Sequence, residues 1–236
     1  MLAAAGRGER LGRVADSAAG QSPAALSNLD RPKAFAALRG RPLLAESLER
    51  LEASEWIDSI VVVAPPDWEE PVILLAEELG AGKVVASVAG GASRAESVRI
   101  GVGEVPDDAA VILVHDAARP LVSDEVVERL LAALNEGWDG AVPGLSLADT
   151  VKRVRDEAIV ETLPRDELVA VQTPQAFVAS VLRDAVAGGD EATDCSALVE
   201  GRGGRVKVVE GDPRLLKVTT ADDLALVESW LDGASS

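Results

Sequence analysis

The sequence predicts an α/β protein in which helices cover both faces of a mostly parallel sheet. Ser59–Ala64 and Ala109–His115 are largely apolar runs of strand length, which are typical of parallel strands buried on both faces. Pro42–Ala53 places its leucines at helical spacing. Because strand and helix patterns alternate along the chain, they indicate a parallel α/β sheet.

The remaining elements continue this alternation. Helices are predicted over Trp68–Leu79, near Arg94–Val102, after a capping Ser123, over Phe177–Ala187 and Asp194–Glu200, and from a Thr220/Asp223 capping box to Trp230. Short strands are predicted at Met1–Ala5, Lys83–Ala86, Gly140–Pro143, Val206–Val209 and Arg214–Leu216. Residues 145–173 alternate more weakly and are predicted to form strands or an extended arm. Without an internal repeat or a linker, we expect one domain over residues 1–236.

Net charge and cysteine content exclude several classes of function. The 236 residues hold 23 Lys and Arg against 40 Asp and Glu, so the formal charge is 23 − 40 = −17 with the lone His neutral. We expect no nucleic-acid partner and no membrane surface, since both favour a basic face. The single Cys195 excludes an intramolecular disulfide and a zinc cluster. The absence of a signal pattern and of any apolar run near ~18 residues predicts a cytoplasmic protein.

A glycine-rich loop follows the first predicted strand. Its small residues are Ala4, Ala5, Gly6 and Gly8. They let the backbone approach a ligand, and backbone N–H groups in such loops bind phosphates. Leu11 replaces the third glycine of a dinucleotide-binding fingerprint. Arg10 in the loop and Lys33 beyond it instead suit a triphosphate whose leaving pyrophosphate must be neutralised, with an ordinary glycine turn as the alternative.

A second glycine pair precedes a predicted helix. Gly90 and Gly91 allow close approach of a ligand, here the edge of a base, and Ala92 follows them. Ser97 offers a hydroxyl group one turn into the helix. The alternative is a loop that leads into an ordinary first helical turn.

The segment Val114–Pro120 ends a buried strand at the edge where α/β proteins bind ligands. Asp116 is suited to hold a metal-bound phosphate or a sugar hydroxyl, and Arg119 is suited to bind an anionic substrate. An ion pair between them at a turn is the alternative. His115 is predicted to be a structural hydrogen-bonding residue, because the strand pleat turns it away from Asp116.

Two later regions combine hydroxyl groups with cations, as phosphate recognition requires. The first comprises Asp149–Arg153, Pro164–Arg165 and Val171–Gln175, with a solvated arm carrying surface charges as the alternative. The second comprises Thr193–Asp194 together with Lys217, which lies between a predicted strand and a capped helix at the mouth of the sheet. For Lys217 the alternative is an ordinary surface lysine.

These motifs, in this order, resemble one family over nearly the whole chain. They are Leu-Ala-Ala-Ala-Gly-Arg-Gly-Glu-Arg at 2–10, Pro-Lys-Ala-Phe at 32–35, Val-His-Asp-Ala-Ala-Arg-Pro at 114–120, Asp-Thr-Val-Lys at 149–152, Gln-Thr-Pro-Gln at 172–175 and Lys-Val-Thr at 217–219. The sequence resembles the 2-C-methyl-D-erythritol 4-phosphate cytidylyltransferases of the non-mevalonate isoprenoid pathway. The resemblance implies transfer of CMP from CTP to that polyol phosphate, with release of pyrophosphate.

The resemblance also implies a structure and a set of site residues. It implies a Rossmann-like nucleotidyltransferase fold with a twisted sheet, and a homodimer joined by a protruding β-arm at residues 145–173. The implied catalytic residues are Arg10, Lys33 and Lys217. The implied nucleotide-binding residues are Ala4, Ala5, Gly6, Gly8, Gly91, Ala92 and Ser97. The implied substrate-binding residues are Asp116, Arg119, Thr150 and Thr193, with Arg165 and Thr173 reaching the substrate of the neighbouring subunit.

The implied reaction uses Mg²⁺ held mainly by the CTP phosphates, with Asp116 as a candidate ligand. We expect direct in-line attack of the substrate phosphate on the α-phosphorus, without a covalent intermediate and without a role for Cys195 as a nucleophile. The functional cations should then form a small basic cleft in an acidic exterior. Two alternatives stay open, namely a ribitol 5-phosphate cytidylyltransferase and a catalytically silent nucleotide-binding protein.

Overall fold

The structure is a computed structural model that describes residues 1–5 and 32–233. Its strands are β1 (Leu2–Ala3), β2 (Ala37–Leu38), β3 (Arg41–Pro42), β4 (Ile60–Ala64), β5 (Val84–Ala89), β6 (Val111–Asp116), β7 (Gly140–Ser146), β8 (Val151–Arg155), β9 (Ala158–Leu163), β10 (Val169–Val171), β11 (Gln175–Val178) and β12 (Val206–Glu210). Its α-helices are α1 (Leu43–Ala53), α2 (Glu69–Leu79), α3 (Arg94–Gly103), α4 (Asp124–Asn135), α5 (Ala179–Ala187), α6 (Cys195–Gly201) and α7 (Ala221–Gly233). Short 3₁₀-helices form at Lys33–Phe35 and Arg165–Glu167.

A mostly parallel sheet organises the described residues. β1 lies between β4 and β6 and runs parallel to both, with Leu2 opposite Val62 and His115. β5 extends the parallel set beyond β4. On the other side, β11 pairs antiparallel with β6 and β7, β10 pairs antiparallel with β7, and β12 pairs parallel with β7. The predicted fold class is confirmed.

Helices cover both faces of this sheet. Ile60 and Val62 of β4 belong to a core cluster that includes side chains of α1, α2 and α4, such as Leu48. Val61 turns to the opposite face, where its cluster includes side chains of α3, α5 and α6, such as Leu182. Because successive side chains of a strand alternate between faces, helices on both sides bury every residue of β4.

Residues 145–173 contain a hairpin that lies apart from the main sheet. β8 and β9 pair only with each other among the described strands, with Val151 opposite Leu163. Their side chains are largely exposed, including Ile159 at 65%. Lys152 bonds Thr162 across the hairpin, so it belongs to the surface of the arm. The chain returns to the main sheet in β10, beside β7.

Two predictions of local structure are wrong. Arg214–Leu216 forms a turn rather than a strand, and the Leu215 N–H donates to the carbonyl of Asp212 at 2.9 Å. Leu215 is fully buried in a core cluster, so this apolar segment reflects the burial of one side chain rather than strand pairing. Phe177–Val178 belongs to β11 instead of a helix, because the segment lies beside β6 and β7.

Helix caps were predicted at the N-termini of α4 and α7, and the hydrogen bonds of a capping box form only at α7. Thr220 and Asp223 form the reciprocal bonds of a capping box, at 3.1 Å and 2.8 Å, so this prediction is confirmed. Ser123 occupies the N-cap position of α4, but its side chain makes no capping bond to the helix backbone.

Candidate active site

The parallel strands bring four segments of the chain to one edge of the sheet. β1, β4, β5 and β6 are neighbours with the same direction, so their carboxyl ends lie side by side. Backbone bonds continue beyond the strands, with Ala4 N donating to Val63 at 2.8 Å and Gly90 N donating to Ala64 at 2.8 Å. This carboxyl edge is where open α/β sheets bind ligands.

Ala5, the last described residue of the first glycine motif, packs against the second glycine motif at this edge. A Cβ atom on Gly90 would lie 2.5 Å from the Cβ of Ala5, so only glycine allows the two segments to pack this closely. Gly91 N donates to Ser97 Oγ at 3.1 Å, and that hydroxyl donates to the carbonyl of Ser93 at 2.8 Å. Ser97 is buried and holds the loop against α3. The predicted nucleotide-binding residues Ala5 and Gly91 therefore belong to one surface.

The side chain of Glu96 accepts a hydrogen bond from a backbone N–H of the same loop. The sequence did not lead us to expect this bond. The Glu96 carboxylate accepts from Ala92 N at 2.7 Å. A Cβ on Gly91 would lie 2.2 Å from Glu96 Cγ, so the glycine makes room for this side chain. The spacing of Glu96 three residues after the N-cap Ser93 is the capping-box pattern that could have pointed to it.

The central feature of the site is an ion pair between residues 101 positions apart. Lys217 Nζ donates to Asp116 Oδ2 at 2.6 Å, and Arg94 Nη2 lies 3.8 Å from Asp116 Oδ1. Burial alone raises the pKa of the Asp116 carboxyl, but Lys217 and Arg94 outweigh this effect, so the pKa lies below its usual value. Asp116 is therefore ionised at neutral pH, with a cation facing each oxygen.

Arg119 anchors the loop that carries Lys217. Its Nη1 donates to the carbonyl of Leu215 at 2.5 Å, and Val218 N donates to the carbonyl of Ala118 at 2.8 Å. Arg119 Nε is one of two buried side-chain N or O atoms without a hydrogen-bond partner in the described part of the chain, Ser87 Oγ being the other. Burial lowers the pKa of the Arg119 guanidinium, although it stays charged at neutral pH.

His115 is a structural hydrogen-bonding residue, as predicted. It is buried and lies 2.9 Å through Nε2 from the carbonyl of Arg119, so Nε2 carries the proton. Nδ1 accepts from the hydroxyl of Thr173 at 3.2 Å, and Thr173 Oγ1 accepts from Asp116 N at 3.0 Å. Burial lowers the pKa of His115 to about 4, so its ring is neutral at pH 7.

Thr173 is buried at the end of β6 rather than exposed on the arm. It was expected on the arm, in reach of a neighbouring subunit's substrate, but only 5% of it is exposed and its hydroxyl bonds His115 and Asp116 of the same chain. The segment leaves the arm before Thr173 because Gln172 N already bonds Pro143 of β7 at 2.8 Å. The Gln-Thr-Pro-Gln motif is thus a buried connection rather than an exposed phosphate-binding surface.

Three other predicted substrate-binding residues are exposed. Thr150 is exposed just before β8, and Arg165 is exposed in the arm, where its Nη1 donates to the carbonyl of Ala148. Thr193 is exposed and precedes Asp194, whose carboxylate accepts from Ala197 N at 3.0 Å and caps α6.

The remaining predicted residues can be placed only in part. Lys33 is half-buried at the start of a 3₁₀-helix whose Ala34 and Phe35 are buried next to α1. Gly6, Gly8 and Arg10 lie outside the described residues. Among the cations expected in a basic cleft, Arg94, Arg119 and Lys217 gather at the carboxyl edge around Asp116.

Cys195 is not a nucleophile. It is fully buried as the first residue of α6, and Arg94 Nη1 lies 3.7 Å from its sulfur. Burial raises the pKa of the Cys195 thiol, and Arg94 offsets this only in part. The thiol is therefore protonated at neutral pH, and thiolate chemistry is not accessible to it.

The family model of 2-C-methyl-D-erythritol 4-phosphate cytidylyltransferase (IspD) matches residues 1–233. The chain belongs to this family. It is 44% identical over 233 residues to the 2-C-methyl-D-erythritol 4-phosphate cytidylyltransferase of Frankia casuarinae, an alignment that covers 98% of this chain and 80% of the relative. The resemblance noted in the sequence is thereby confirmed.

Solved structures agree with this membership. The 4-diphosphocytidyl-2C-methyl-D-erythritol synthase from Anaerococcus prevotii is 25% identical and superposes with a TM-score of 0.79, covering 98% of this chain and 96% of that one. The 2-C-methyl-D-erythritol 4-phosphate cytidylyltransferase from Thermus thermophilus is 35% identical with a TM-score of 0.72, covering 85% and 94%.

This member of the family shows neither a preformed metal cluster nor a membrane-spanning helix in its described residues. Within residues 1–5 and 32–233, no three His, Cys, Asp or Glu side chains are grouped to hold a metal ion. None of the helices in these ranges has the length and apolar character needed to cross a membrane.

Buried, neutral His115 predicts a pH dependence of stability. Its pKa is about 4 in the folded protein, against an ordinary value of 6.5, so only the unfolded chain takes up a proton between these values. The associated stability is present above pH 6.5 and is lost as the pH falls towards 4. At pH 4.5 the loss is about 2–3 kcal/mol.

The measurement is urea unfolding of the wild type and of His115→Gln at pH 7 and pH 4.5. Other groups also titrate in this range, so the comparison between the two proteins isolates the histidine. The free energy of unfolding of the variant should fall less steeply with acid than that of the wild type. An equal fall in both proteins would contradict the burial of a neutral imidazole.

Proposed function

We propose that this protein transfers CMP from CTP to 2-C-methyl-D-erythritol 4-phosphate, forming CDP-methylerythritol and pyrophosphate. The observation that carries the proposal is the ion pair of Lys217 with Asp116 at the carboxyl edge, with Arg94 and Arg119 beside it. Several cations around one carboxylate suit the binding of phosphate groups. Family membership and the names of the relatives supply the identity of the two substrates.

Transfer proceeds by direct attack of the substrate phosphate on the α-phosphorus of CTP. A phosphate with a second pKa of about 6 is a dianion at neutral pH, so no general base is required. Nothing described at this edge supplies an activated nucleophile, since Cys195 is buried and His115 is neutral and fully bonded. Catalysis therefore depends on positioning and on charge neutralisation.

Lys217 supplies the charge, and Asp116 holds it in place before the nucleotide arrives. The Asp116 carboxylate fixes the ammonium at 2.6 Å, which reduces the cost of ordering a flexible lysine. When the phosphates bind, the same ammonium faces the negative charge of the transferring group. Arg10 and Lys33 neutralise charge on the triphosphate.

Magnesium fits this site as a companion of the nucleotide. Mg²⁺ binds through one or two carboxylates together with substrate phosphates, and Asp116 is the carboxylate at the edge. Asp116 would hold the ion together with the phosphates of CTP, in competition with the two cations that already face its oxygens. When bound, the ion neutralises phosphate charge.

Four of the predicted residues bind the polyol phosphate, and the arm joins two copies of the chain. Thr193 and Arg119 bind the substrate phosphate, Thr150 contributes from the base of the arm, and Arg165 reaches the site of the neighbouring subunit. The arm exposes apolar side chains, including Ile159 at 65% and Val154 at 57%, as an unpaired dimer contact would. The single cysteine and the polar substrates favour a cytoplasmic enzyme.

Replacing Lys217 tests the catalytic assignment. Lys217→Ala should lower kcat roughly 10²- to 10³-fold, as expected for the loss of one preorganised charge worth about 3–4 kcal/mol. Lys33→Ala should have an effect of the same kind. The assay is pyrophosphate release from CTP, which should require added methylerythritol phosphate.

Lys207→Ala is the matched control, because Lys207 pairs with Glu136 on the surface, and its activity should equal that of the wild type. Near-normal turnover by Lys217→Ala would contradict its catalytic role. Ribitol 5-phosphate is tested as the alternative substrate. If pyrophosphate is released faster with ribitol 5-phosphate than with methylerythritol phosphate, ribitol 5-phosphate is the substrate. A protein that releases no pyrophosphate with either polyol would be the silent nucleotide-binding alternative.

Mixing two inactive variants tests whether Arg165 serves the neighbouring site. Arg165→Ala and Lys217→Ala are unfolded together and refolded as a mixture. If the arm acts across a dimer, a mixed dimer holds one intact site and one doubly defective site. Since half of the dimers are mixed, activity should recover to about a quarter of the wild-type value. No recovery beyond the separate variants would assign Arg165 to its own chain or exclude the dimer.

A further inference from the structure

The Gln-Thr-Pro-Gln segment contacts three parts of the candidate site from beneath. We infer that Gln172 and Gln175 are positioning residues for the transfer, and that each orients a different substrate-facing loop. Gln172 acts on the loop that carries Lys217, whereas Gln175 acts on the loop that carries Thr193. This inference rests on the proposed function, because it assigns the loop of Lys217 to the transfer step and the loop of Thr193 to the binding of methylerythritol phosphate.

The segment is buried at the carboxyl end of β6. It joins β10 to β11, and these two strands pair with successive parts of β7, β10 at Gly144–Ser146 and β11 at Gly140–Ala141. Gln175 lies opposite Val114 of β6, and Val114 is two residues before Asp116 in the sequence. The exposed fractions of Gln172 and Gln175 are 4% and 1%, so neither side chain touches a substrate directly. Both act through the groups that they bond.

Gln172 bonds one backbone position twice. Its Nε2 donates to the carbonyl of Asp212 at 2.8 Å, and its Oε1 accepts from Asp212 N at 3.1 Å. A Cβ on the preceding Gly211 would lie 2.5 Å from this Oε1, so the loop backbone packs directly on the amide. Asp212 begins the turn that leads to Lys217, and Leu215 N bonds the same carbonyl at 2.9 Å.

Lys217 therefore stands on a loop that is held at its start and again near its end. Gln172 holds the start of the loop, and Arg119 and the backbone of Ala118 hold Leu215 and Val218. Loss of the Gln172 bonds leaves the second anchor in place, so the protein can fold while the ammonium shifts. Displacements of about 1 Å in a reacting group can cost roughly 10²-fold in rate.

Gln175 bonds the start of α6. Its Nε2 donates to Asp194 Oδ2 at 2.9 Å, and its Oε1 accepts from Cys195 N at 3.1 Å. Asp194 also caps the helix through Ala197 N at 3.0 Å. Because Thr193 directly precedes this anchored aspartate, the amide of Gln175 sets the direction in which the threonine leaves the helix towards the substrate.

Thr173 supplies the third contact, between the same segment and Asp116. Its hydroxyl accepts from Asp116 N at 3.0 Å and donates to His115 Nδ1 at 3.2 Å. One buried segment thus touches the loop of Lys217, the end of β6 and the loop of Thr193. A purely structural role would predict the same defect for both glutamines, whereas the geometry predicts different defects.

Hydrogen exchange tests the contacts without reference to catalysis. In Gln172→Met, which keeps the volume but loses both bonds, the amide of Asp212 should exchange faster and that of Cys195 should be unchanged. In Gln175→Met the pattern should be reversed. Unchanged exchange at both amides, or equal acceleration at both in each variant, would overturn the inference.

Steady-state kinetics test the division of labour. Gln172→Met should lower kcat roughly 10- to 100-fold, with both KM values within about threefold of the wild type. Gln175→Met should raise the KM for methylerythritol phosphate about tenfold and leave the KM for CTP unchanged. The same kcat and KM pattern in both variants would overturn the inference.

Second variants and a control complete the design. Gln172→Leu and Gln175→Leu also lose both bonds without adding a buried charge, so they should show the same split if a methionine variant does not fold. Ser54→Ala removes a buried side-chain bond to Trp56 N far from the site and should change neither constant. If the wild type releases no pyrophosphate, the proposed function fails, while the exchange pattern still decides the positioning contacts.

Discussion

The site depends on one ion pair, between Lys217 and Asp116, that joins two distant parts of the chain at the carboxyl edge of the sheet. Asp116 comes to this edge because β6 runs parallel to β1, which in turn runs parallel to β4. Lys217 comes to it because its own loop is bonded to Arg119 through Leu215 and to Ala118 through Val218. Arg94 faces the second carboxylate oxygen. Both cations keep the buried Asp116 ionised, so a charged group survives where burial alone would favour a neutral one.

Local sequence patterns predicted most of the fold and missed segments whose structure is set by distant partners. The apolar residues of β4 and the regularly spaced leucines of α1 are the buried ones, so the predicted strand and helix are both found. Phe177–Val178 has no local strand pattern and becomes β11 because β6 and β7 lie on its two sides. Arg214–Leu216 has a strand-like composition, yet it pairs with none of the described strands. The Leu215 N–H instead bonds the carbonyl of Asp212, and the Leu215 carbonyl accepts from Arg119.

Part of the candidate site was predictable from charges at the end of a buried strand. Asp116 and Arg119 were singled out there because such charges need a partner or a ligand, whereas Lys217 was singled out beside a predicted strand that forms a turn. Gln172 and Gln175 were attributed to phosphate recognition, since composition does not tell an exposed polar segment from one buried by a strand connection. Glu96 was missed although its spacing from Ser93 is a capping-box pattern, because its carboxylate bonds the N–H of Ala92 in the loop rather than that of the N-cap residue.

The central claim is that charge and position perform the transfer without a covalent intermediate. The described residues at the edge agree with it, because the Cys195 thiol is protonated and the His115 ring is neutral with both nitrogens bonded. The most direct measurement is the stereochemical course of transfer from CTP made chiral by sulfur at the α-phosphorus. A single in-line displacement predicts inversion of configuration in the CDP-methylerythritol product. Retention would require two displacements through an enzyme-bound nucleotide and would contradict the account.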